Sequence, residues 1–353
     1  MSEQKTSGTA PANDPVEAES TRVEKQDAAG GRRGGLLSGS VGRNLGLVVA
    51  LIALAVVGYA TAGSRFASVD NLMVILSLAS VIGVVSIGMT FVITAGGIDL
   101  SVGSVLGLAS VWATTLATQN LADQYGWIIM VVCALGVGLG AGLVNGVLIA
   151  YGRVVAFIAT LAMLVAARGL AELIANRRTQ IVDVDSFSDT FRGDLLGVPK
   201  IVWIFVVVAV AGWFLLNRTT FGRRTVAVGG NPEAARLAGI KVKRHVMYLY
   251  ALCGLTAGIA GAMMLARTTA GASTNGLLYE LDAIAAVVVG GTLLAGGRGT
   301  IVGTVLGVLI FATLTNLFIQ NNLDSSVQSI AKGAIIIVAV LLQQRISSRS
   351  SSG

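Results

Sequence analysis

The stretch NRTTFGRRTVAVGGNPEAARLAGIKVKR, residues 217–244, is a polar island between two long apolar regions of the chain. Within it, Asn231 can cap a helix, Pro232 suits the first helical position, and Glu233 places a carboxylate at the positive end of the helix dipole. Gly239 then supplies the left-handed residue that ends the helix. The stretch predicts a helix of about two turns, which is too short to be stable by itself in water and needs a partner to pack against.

Basic residues surround this predicted helix, against a single acidic residue, Glu233. They are Arg218, Arg223, Arg224, Arg236, Lys241, Lys243 and Arg244. Two interpretations stay open at this point. Either the loop at 218–244 is a solvated cytoplasmic segment whose charges fix membrane orientation, or it docks to a cytoplasmic partner.

The apolar sequence on both sides predicts an all-α fold, a polytopic transmembrane helical bundle. Of the 353 residues, 54% are hydrophobic and 12% are charged, and runs long enough to cross a bilayer recur along the chain. The 45 glycines suit helices that approach one another closely in lipid. We predict ten spans, near residues 44–62, 71–95, 101–118, 127–150, 154–175, 201–217, 245–267, 279–296, 299–319 and 326–343.

The distribution of charge predicts domain limits and orientation. Residues 1–42 are polar and lack a periodic apolar face, so they predict a disordered cytoplasmic tail. A transmembrane domain at 43–345 and a short cytoplasmic tail at 346–353 follow. With both termini in the cytoplasm, 17 of the 25 basic residues fall in cytoplasmic segments and six in outer segments. This bias follows the positive-inside rule and explains the net charge of +7 better than nucleic acid binding does.

A sequence repeat links two regions of the predicted bundle. Residues 95–107 read AGGIDLSVGSVLG and residues 295–307 read AGGRGTIVGTVLG, with eight of thirteen positions identical. Each copy predicts a glycine-rich turn between two spans. It is either a plain surface turn or a discontinuous helix end that lines a pathway.

The candidate residues of these repeat turns are Gly96, Gly97, Asp99, Ser101, Gly296, Gly297, Arg298 and Gly299. We expect Asp99 and Ser101 to cap the helix that follows the first turn. Arg298 gives the second turn the opposite charge. The sequence leaves open whether the two turns face one another and whether the copies are parallel or inverted.

Polar residues inside the predicted spans are further candidates. Arg168 and Glu172 are four residues apart on one helix, a spacing that predicts an ion pair. Other polar groups in the spans either line a sugar-sized path or form hydrogen bonds between helices. The polar candidates for such a path are Asn145, Thr160 and Asn316, and the aromatic candidate is Phe157, which either stacks against a sugar or is a lipid-facing or core aromatic residue.

Several kinds of chemistry are absent from the sequence. It contains no GxxxxGK(S/T) phosphate-binding loop, so if ATP and Mg drive this protein they bind to another chain. It contains no HExxH or CxxC motif either, and Cys133, Cys253 and the single histidine, His245, lack metal-ligand spacing. We therefore expect no catalytic, metal or cofactor site on this chain.

Four stretches carry a family resemblance. They are GMTFVITAGGIDLSVGS (88–104), GLVNGVLIAYGRVVAFIATLAMLVAARGLA (142–171), AVGGNPEAARLAGIKVKR (227–244) and AAVVVGGTLLAGGRGTIVGTVLG (285–307). In their order and spacing, the chain resembles the membrane permeases of bacterial ABC importers of the ribose, xylose, arabinose and galactofuranose type. The resemblance is specific for the family and says much less about the sugar.

The resemblance implies a ten-helix permease in the bacterial cytoplasmic membrane, paired with a second copy or a paralogue. It also implies cytoplasmic ATPase subunits, a sugar-binding protein on the outer face, and a pentose, hexose or related polyol as cargo. The role of a coupling helix seated in the ATPase falls on Asn231, Pro232, Glu233, Ala234, Ala235, Arg236, Leu237, Ala238 and Gly239. The alternative is an ion-coupled secondary sugar transporter, which would usually need a membrane-embedded acid for coupling.

Overall fold

The computed structural model describes residues 40–324, 326–335 and 337. The chain divides into one unit of residues 1–43 and a second of residues 44–353. In the first unit only residues 40–43 are described, and they are helical, which differs from the disorder predicted for residues 40–42. The rest of that tail, the C-terminal tail (346–353) and the second half of the tenth predicted span lie outside the described residues.

Helices make up most of the described chain. They are α1 (Ser40–Ala62), a 3-10 turn (Gly63–Arg65), α2 (Val69–Thr94), α3 (Val102–Ala113), α4 (Leu116–Tyr125), α5 (Ile128–Ala150), α6 (Ala156–Ala175), α7 (Asp185–Phe191), α8 (Lys200–Arg218), α9 (Thr220–Gly230), α10 (Pro232–Leu237), α11 (Val242–Thr268), α12 (Tyr279–Val289) and α13 (Ile301–Gln320). Residues 326–335 are also helical. The strands are β1 (Gln180–Ile181), β2 (Asp194–Leu195), β3 (Val198–Pro199) and β4 (Ala270–Gly271).

Long apolar helices dominate this architecture. Within the described residues, seven helices are long and apolar enough to cross a membrane: α1, α2, α5, α6, α8, α11 and α13. They match seven of the ten predicted spans. The chain is therefore a helical membrane bundle.

The third and eighth predicted spans are not continuous long helices. The helix predicted over 101–118 breaks because Thr115 caps a separate helix, α4, by accepting a hydrogen bond from the Thr118 amide at 3.3 Å. The helix predicted over 279–296 stops at Val289, before two glycines. With 12 and 11 residues, α3 and α12 measure about 18 and 17 Å, roughly half of a bilayer core. Non-helical backbone precedes each of them.

Burial separates central helices from peripheral ones. Most of the length of α2, α11 and α13 is buried, so their apolar side chains contact other helices on several sides. In contrast, α1, α5, α6 and α8 are mostly exposed and present large apolar side chains such as Val132, Val165 and Val207. In a membrane protein, exposed apolar faces of this kind contact lipid.

Glycines allow α5 to lie close to the central helix α11. Gly138 and Gly142 on α5 oppose Gly254 and Gly258 on α11, and a Cβ added at Gly142 would lie 3.0 Å from the Gly254 Cα. Small residues spaced four apart permit such close backbone approach in membrane bundles. This glycine contact fixes α5 against the core.

The two ends of the bundle differ. At one end, β1 pairs antiparallel with β4, which joins the loop after α6 to the end of α11. At the other end, α9 and α10 lead into the start of α11. The 27 residues of α11 separate the two ends by about 40 Å. We call them the strand end and the α10 end.

Candidate functional site

The short helix predicted in the polar island is present as α10. Asn231 caps it, because its Oδ1 accepts a hydrogen bond at 3.0 Å from the amide three residues later. Pro232 opens the helix, Glu233 lies in its first turn, and Gly239 adopts the left-handed conformation with φ +84°. The predicted cap, first residue and terminator are therefore confirmed. We call residues 231–239 the α10 segment.

The α10 segment has an inner and an outer face. Ala235 is 4% exposed and packs inside the chain, so its side chain does not lie on the exposed surface of the segment. Leu237, in contrast, is 80% exposed. Glu233 and Arg236 form an exposed ion pair at 3.0 Å, which contributes little stability. The outer face therefore offers a large apolar side chain next to a neutralised charge pair.

The two repeat turns lie in contact with each other. Gly96 and Gly296 have nearly the same left-handed conformation, with φ +82° and +83°. The Gly297 amide donates a hydrogen bond to the Thr94 carbonyl oxygen at 2.9 Å. A Cβ on Gly296 would lie 2.9 Å from the Gly96 nitrogen, and one on Gly299 would overlap the Thr94 hydroxyl. The question left open by the sequence is thus answered, because the turns face one another at backbone contact distance.

The end of α9 packs on this pair of turns. A Cβ added at Gly229 would overlap the Thr94 carbonyl oxygen and would lie 2.6 Å from the Gly297 nitrogen. Gly230 follows, and Asn231 then starts the α10 segment. The exposed α10 segment is therefore joined to both repeat turns through the last residues of α9. We call this contact the Gly229 junction.

Asp99 and Ser101 are buried beside the first turn, each 1% exposed. The Asp99 Oδ1 accepts hydrogen bonds from the Ser101 amide at 2.9 Å and from the Ser101 hydroxyl at 2.6 Å. Asn145 donates to the same hydroxyl at 2.9 Å. The expectation that Ser101 caps α3 is wrong, because it stands at the cap position but its side chain makes no capping hydrogen bond, whereas Asp99 does satisfy an amide at the start of this helix. Arg298 is exposed, so the opposite charges of the turns do not meet.

Valine at either turn is expected to damage the protein. Gly297→Val places a β-branched side chain at φ +78°, and Gly97→Val brings a Cβ to 2.5 Å from the Tyr250 hydroxyl oxygen. We expect each change to destabilise the fold by about 2 kcal/mol or more and to reduce transport. Thermal unfolding in detergent and vesicle uptake measure this. Gly46→Val is the control, because a Cβ there meets nothing within 4 Å, and equal behaviour of all three variants would contradict the prediction.

The candidates for a sugar path do not come together in this chain. Asn145 is bound at the first repeat turn, whereas Asn316 donates a hydrogen bond to Asn71 at 2.8 Å near the start of α2. The length of α2, roughly 35 Å, separates these two places. Thr160 is buried and bonds within its own helix, and Phe157 is 53% exposed. The side chains of Asn145 and Asn316 therefore form hydrogen bonds between elements, which was the other interpretation of these polar residues.

Arg168 has different partners from the predicted one. Its guanidinium donates hydrogen bonds to the carbonyl oxygens of Ser273 and Asn275, in the non-helical backbone before α12. Glu172 instead pairs with Arg177 at 3.3 Å. The predicted ion pair is therefore wrong, because backbone acceptors from a distant part of the chain lie closer to the guanidinium.

Removal of Arg168 is expected to loosen this non-helical backbone. Arg168→Leu leaves two carbonyl groups without their charged donor, which costs about 2 kcal/mol or more. Glu172→Gln should cost less than about 1 kcal/mol, because its pair is exposed. We expect the double variant to show the sum of the two losses within about 0.5 kcal/mol in thermal unfolding. If the double variant is more stable than this sum, Arg168 and Glu172 interact, and the ion pair predicted from the sequence is correct.

Sequence reasoning did not identify the buried charged residues at α12 as candidate functional residues. Glu280 is 8% exposed, and its Oε2 lies beside Gly103 of α3 with no hydrogen-bond partner among the described residues. Asp282 is 9% exposed and pairs with Lys332 at 3.0 Å. The signal was present, since Glu280 and Asp282 open an apolar span and Lys332 falls inside another. In the described ranges, no group of three or more His, Cys, Asp or Glu could hold a metal ion.

Comparisons with known proteins agree over most of the chain. Residues 71–340 match the family described as branched-chain amino acid transport system / permease component. The ribose import permease protein RbsC of Escherichia coli (strain K12) is 41% identical over 303 residues, which are 85% of this chain and 92% of the relative. RbsC of Bacillus subtilis (strain 168) is 39% identical over 309 residues, 87% and 93% of the two chains. The L-arabinose transport system permease protein AraH of Escherichia coli (strain K12) is 36% identical over 288 residues, 79% and 84%. No solved structure matches significantly.

Proposed function

This chain belongs to the family of branched-chain amino acid transport system permease components, and from that premise we propose that it is the permease subunit of an ABC sugar importer. Relatives named for ribose and for arabinose import cover most of its length. These names favour a monosaccharide as cargo, whether a pentose, a hexose or a related polyol. ATP hydrolysis on a separate subunit would drive its passage.

The Gly229 junction is the observation that carries this proposal. A permease driven by a separate ATPase needs an exposed element that the ATPase can move and a rigid connection to the membrane helices. The α10 segment has an exposed apolar residue, Leu237, and the end of α9 joins it to both repeat turns. The first turn leads into the short helix α3, and the second lies in the connection between the short helix α12 and α13. Movement of the α10 segment would thus reach both discontinuous regions.

The proposed topology has ten crossings with both termini in the cytoplasm of a bacterium. The α10 end faces the cytoplasm and the strand end faces outward. The third crossing consists of α3 with the non-helical residues before it, and the eighth consists of α12 in the same way. The two short helices do not hold equivalent places in the repeat, because α3 follows the turn of the first copy whereas α12 precedes the second copy.

The proposed partners follow from this topology. An ATPase subunit, which would hold ATP and Mg, docks on the α10 segment. A sugar-binding protein docks at the strand end, and a second permease, identical or paralogous, completes the path.

An ion-coupled secondary sugar transporter is the alternative, and Glu280 is the observation that favours it. Its carboxylate is buried beside α3 and has an oxygen without a hydrogen bond in the described chain. Intramembrane acids with such surroundings commonly carry protons or ions. The two proposals differ in their energy source.

Uptake of labelled ribose and arabinose into membrane vesicles tests the proposal. Vesicles that contain the permease, its ATPase and its binding protein are expected to accumulate sugar with ATP and to keep doing so with an uncoupler. Omission of the ATPase should abolish uptake. Uptake that persists without the ATPase and stops with the uncoupler would establish the ion-coupled alternative.

A further inference from the structure

A cavity of about 480 Å³ opens beside the α10 segment. It lies between the first turns of α9, the residues that follow α10, and the first two turns of α11. Arg224 lines it from α9, and Lys241 and Arg244 line it from the start of α11. This volume is in the range of small-molecule sites.

The cavity carries an uncompensated positive charge. No Asp or Glu is among its lining residues. In the described part of the chain, none of Arg224, Lys241 and Arg244 takes part in an ion pair. Glu233, the one acidic residue of the polar island, is already paired with Arg236. Three cations around one cavity create a positive potential that attracts an anion.

Neighbouring side chains hold parts of this cavity in place. The Arg244 Nε donates a hydrogen bond to the Tyr248 hydroxyl at 2.7 Å, and the guanidinium lies 5.5 Å from the centre of that ring. His245 is fixed by the Thr225 hydroxyl at 2.9 Å and by the Phe221 ring at 4.7 Å between centroids. Among the described residues, the terminal nitrogens of Arg244 have no hydrogen-bond partner, so they are available to bind two oxygens of a phosphate.

We propose that this cavity binds the phosphate headgroup of an anionic phospholipid. The inference rests on the proposed topology, which places the α10 end at the cytoplasmic leaflet, where anionic lipids attract basic residues. Tyr248 is 39% exposed on the second turn of a membrane-spanning helix, a position that suits an aromatic ring at the headgroup level. A lipid bound here would tie the end of the α10 segment to the membrane surface.

The decisive variant removes the three cavity charges through Arg224→Gln, Lys241→Gln and Arg244→Gln. The control removes the same charge from the same polar island through Arg223→Gln, Arg236→Gln and Lys243→Gln, none of which lines the cavity. Native mass spectrometry of the purified permease counts bound phosphatidylglycerol, with phosphatidylcholine as the neutral lipid. We expect the cavity variant to lose phosphatidylglycerol binding by about tenfold or more and the control by less than about twofold. Phosphatidylcholine binding should change in neither variant.

Equal losses in the two triple variants would overturn the proposal, because they would indicate general attraction to charge. If the triple variant does not fold, Lys241→Gln against Lys243→Gln makes the same comparison with single changes. A binding measurement with inorganic phosphate distinguishes a lipid headgroup from a soluble phosphate as the ligand. Binding of phosphate with no preference for the anionic lipid would assign the cavity to a soluble phosphate and overturn the lipid proposal. The experiment measures lipid binding and not sugar uptake. Its result can therefore be interpreted even if the proposed transport function is wrong.

Discussion

Replacement of Leu237 by aspartate is expected to abolish ATP-driven uptake in vesicles while the permease stays folded and inserted. Leu237 is the large apolar side chain on the outer face of the α10 segment, 80% exposed, so the change removes little packing within this chain. In the proposed complex, the ATPase would cover this side chain. Aspartate would then bring an unpaired charge into a contact surface. A loss of about 3 kcal/mol in association, more than about a hundredfold in affinity, is the size expected for an anchor residue.

The control for this experiment is the same substitution at the opposite end. Leu196 is 86% exposed in the connection between β2 and β3, and its φ of +56° suits aspartate. Leu196→Asp should leave both ATPase co-purification and thermal stability unchanged. Ala235→Glu would be a poor probe, because Ala235 is buried and the change would disturb the segment itself. A stable, transport-competent complex with Leu237→Asp would contradict the docking role and would indicate that the loop is a solvated segment whose charges only set membrane orientation.

Replacement of Gly142 by leucine is expected to cost the bundle about 3 kcal/mol or more and most of its folded yield. A Cβ at this position would overlap the Tyr250 carbonyl oxygen and lie 3.1 Å from the Ala251 Cα. Both are backbone atoms of α11, so no change of rotamer can make room. The helices α5 and α11 would have to separate, and the close contact of their glycines would be lost.

Gly140 provides a matched control on the same helix. A Cβ there meets nothing within 4 Å, and the residue is exposed. Gly140→Leu should preserve or slightly raise stability, because leucine is a better helix former than glycine and its side chain faces lipid. Thermal unfolding in detergent and yield after size-exclusion chromatography compare the two variants. Similar profiles for both would show that the close approach of α5 and α11 does not determine stability.

Apolar length predicted most spans, because seven of them are plain runs of the right size. It failed at α3 and α12, because composition stays apolar across the break and only small signals mark it. Thr115 was available as a helix cap inside the span predicted at 101–118. At 279–296, two acids opened the segment and a glycine pair followed α12. Such caps and breaks decide helix length once the tertiary fold offers other partners for the backbone.

The candidate site was predictable only where its structure is local. The cap and terminator of α10 depend on neighbours in sequence, and both were identified. The partners of Arg168 lie more than a hundred residues away, so local spacing favoured Glu172 instead. The burial of Ala235 depends on how α10 sits on the bundle, and six residues contain too few turns to mark a buried face. The contact between the repeat turns also depends on the tertiary fold, so the sequence left it open.

At the Gly229 junction, the closest approaches are between main-chain atoms. A contact between side chains can take up a displacement through a change of rotamer, but a contact between backbones has no such freedom. The junction is therefore a stiff joint. We expect a displacement of the α10 segment to reach both repeat turns together, because no change of rotamer at the junction can absorb it.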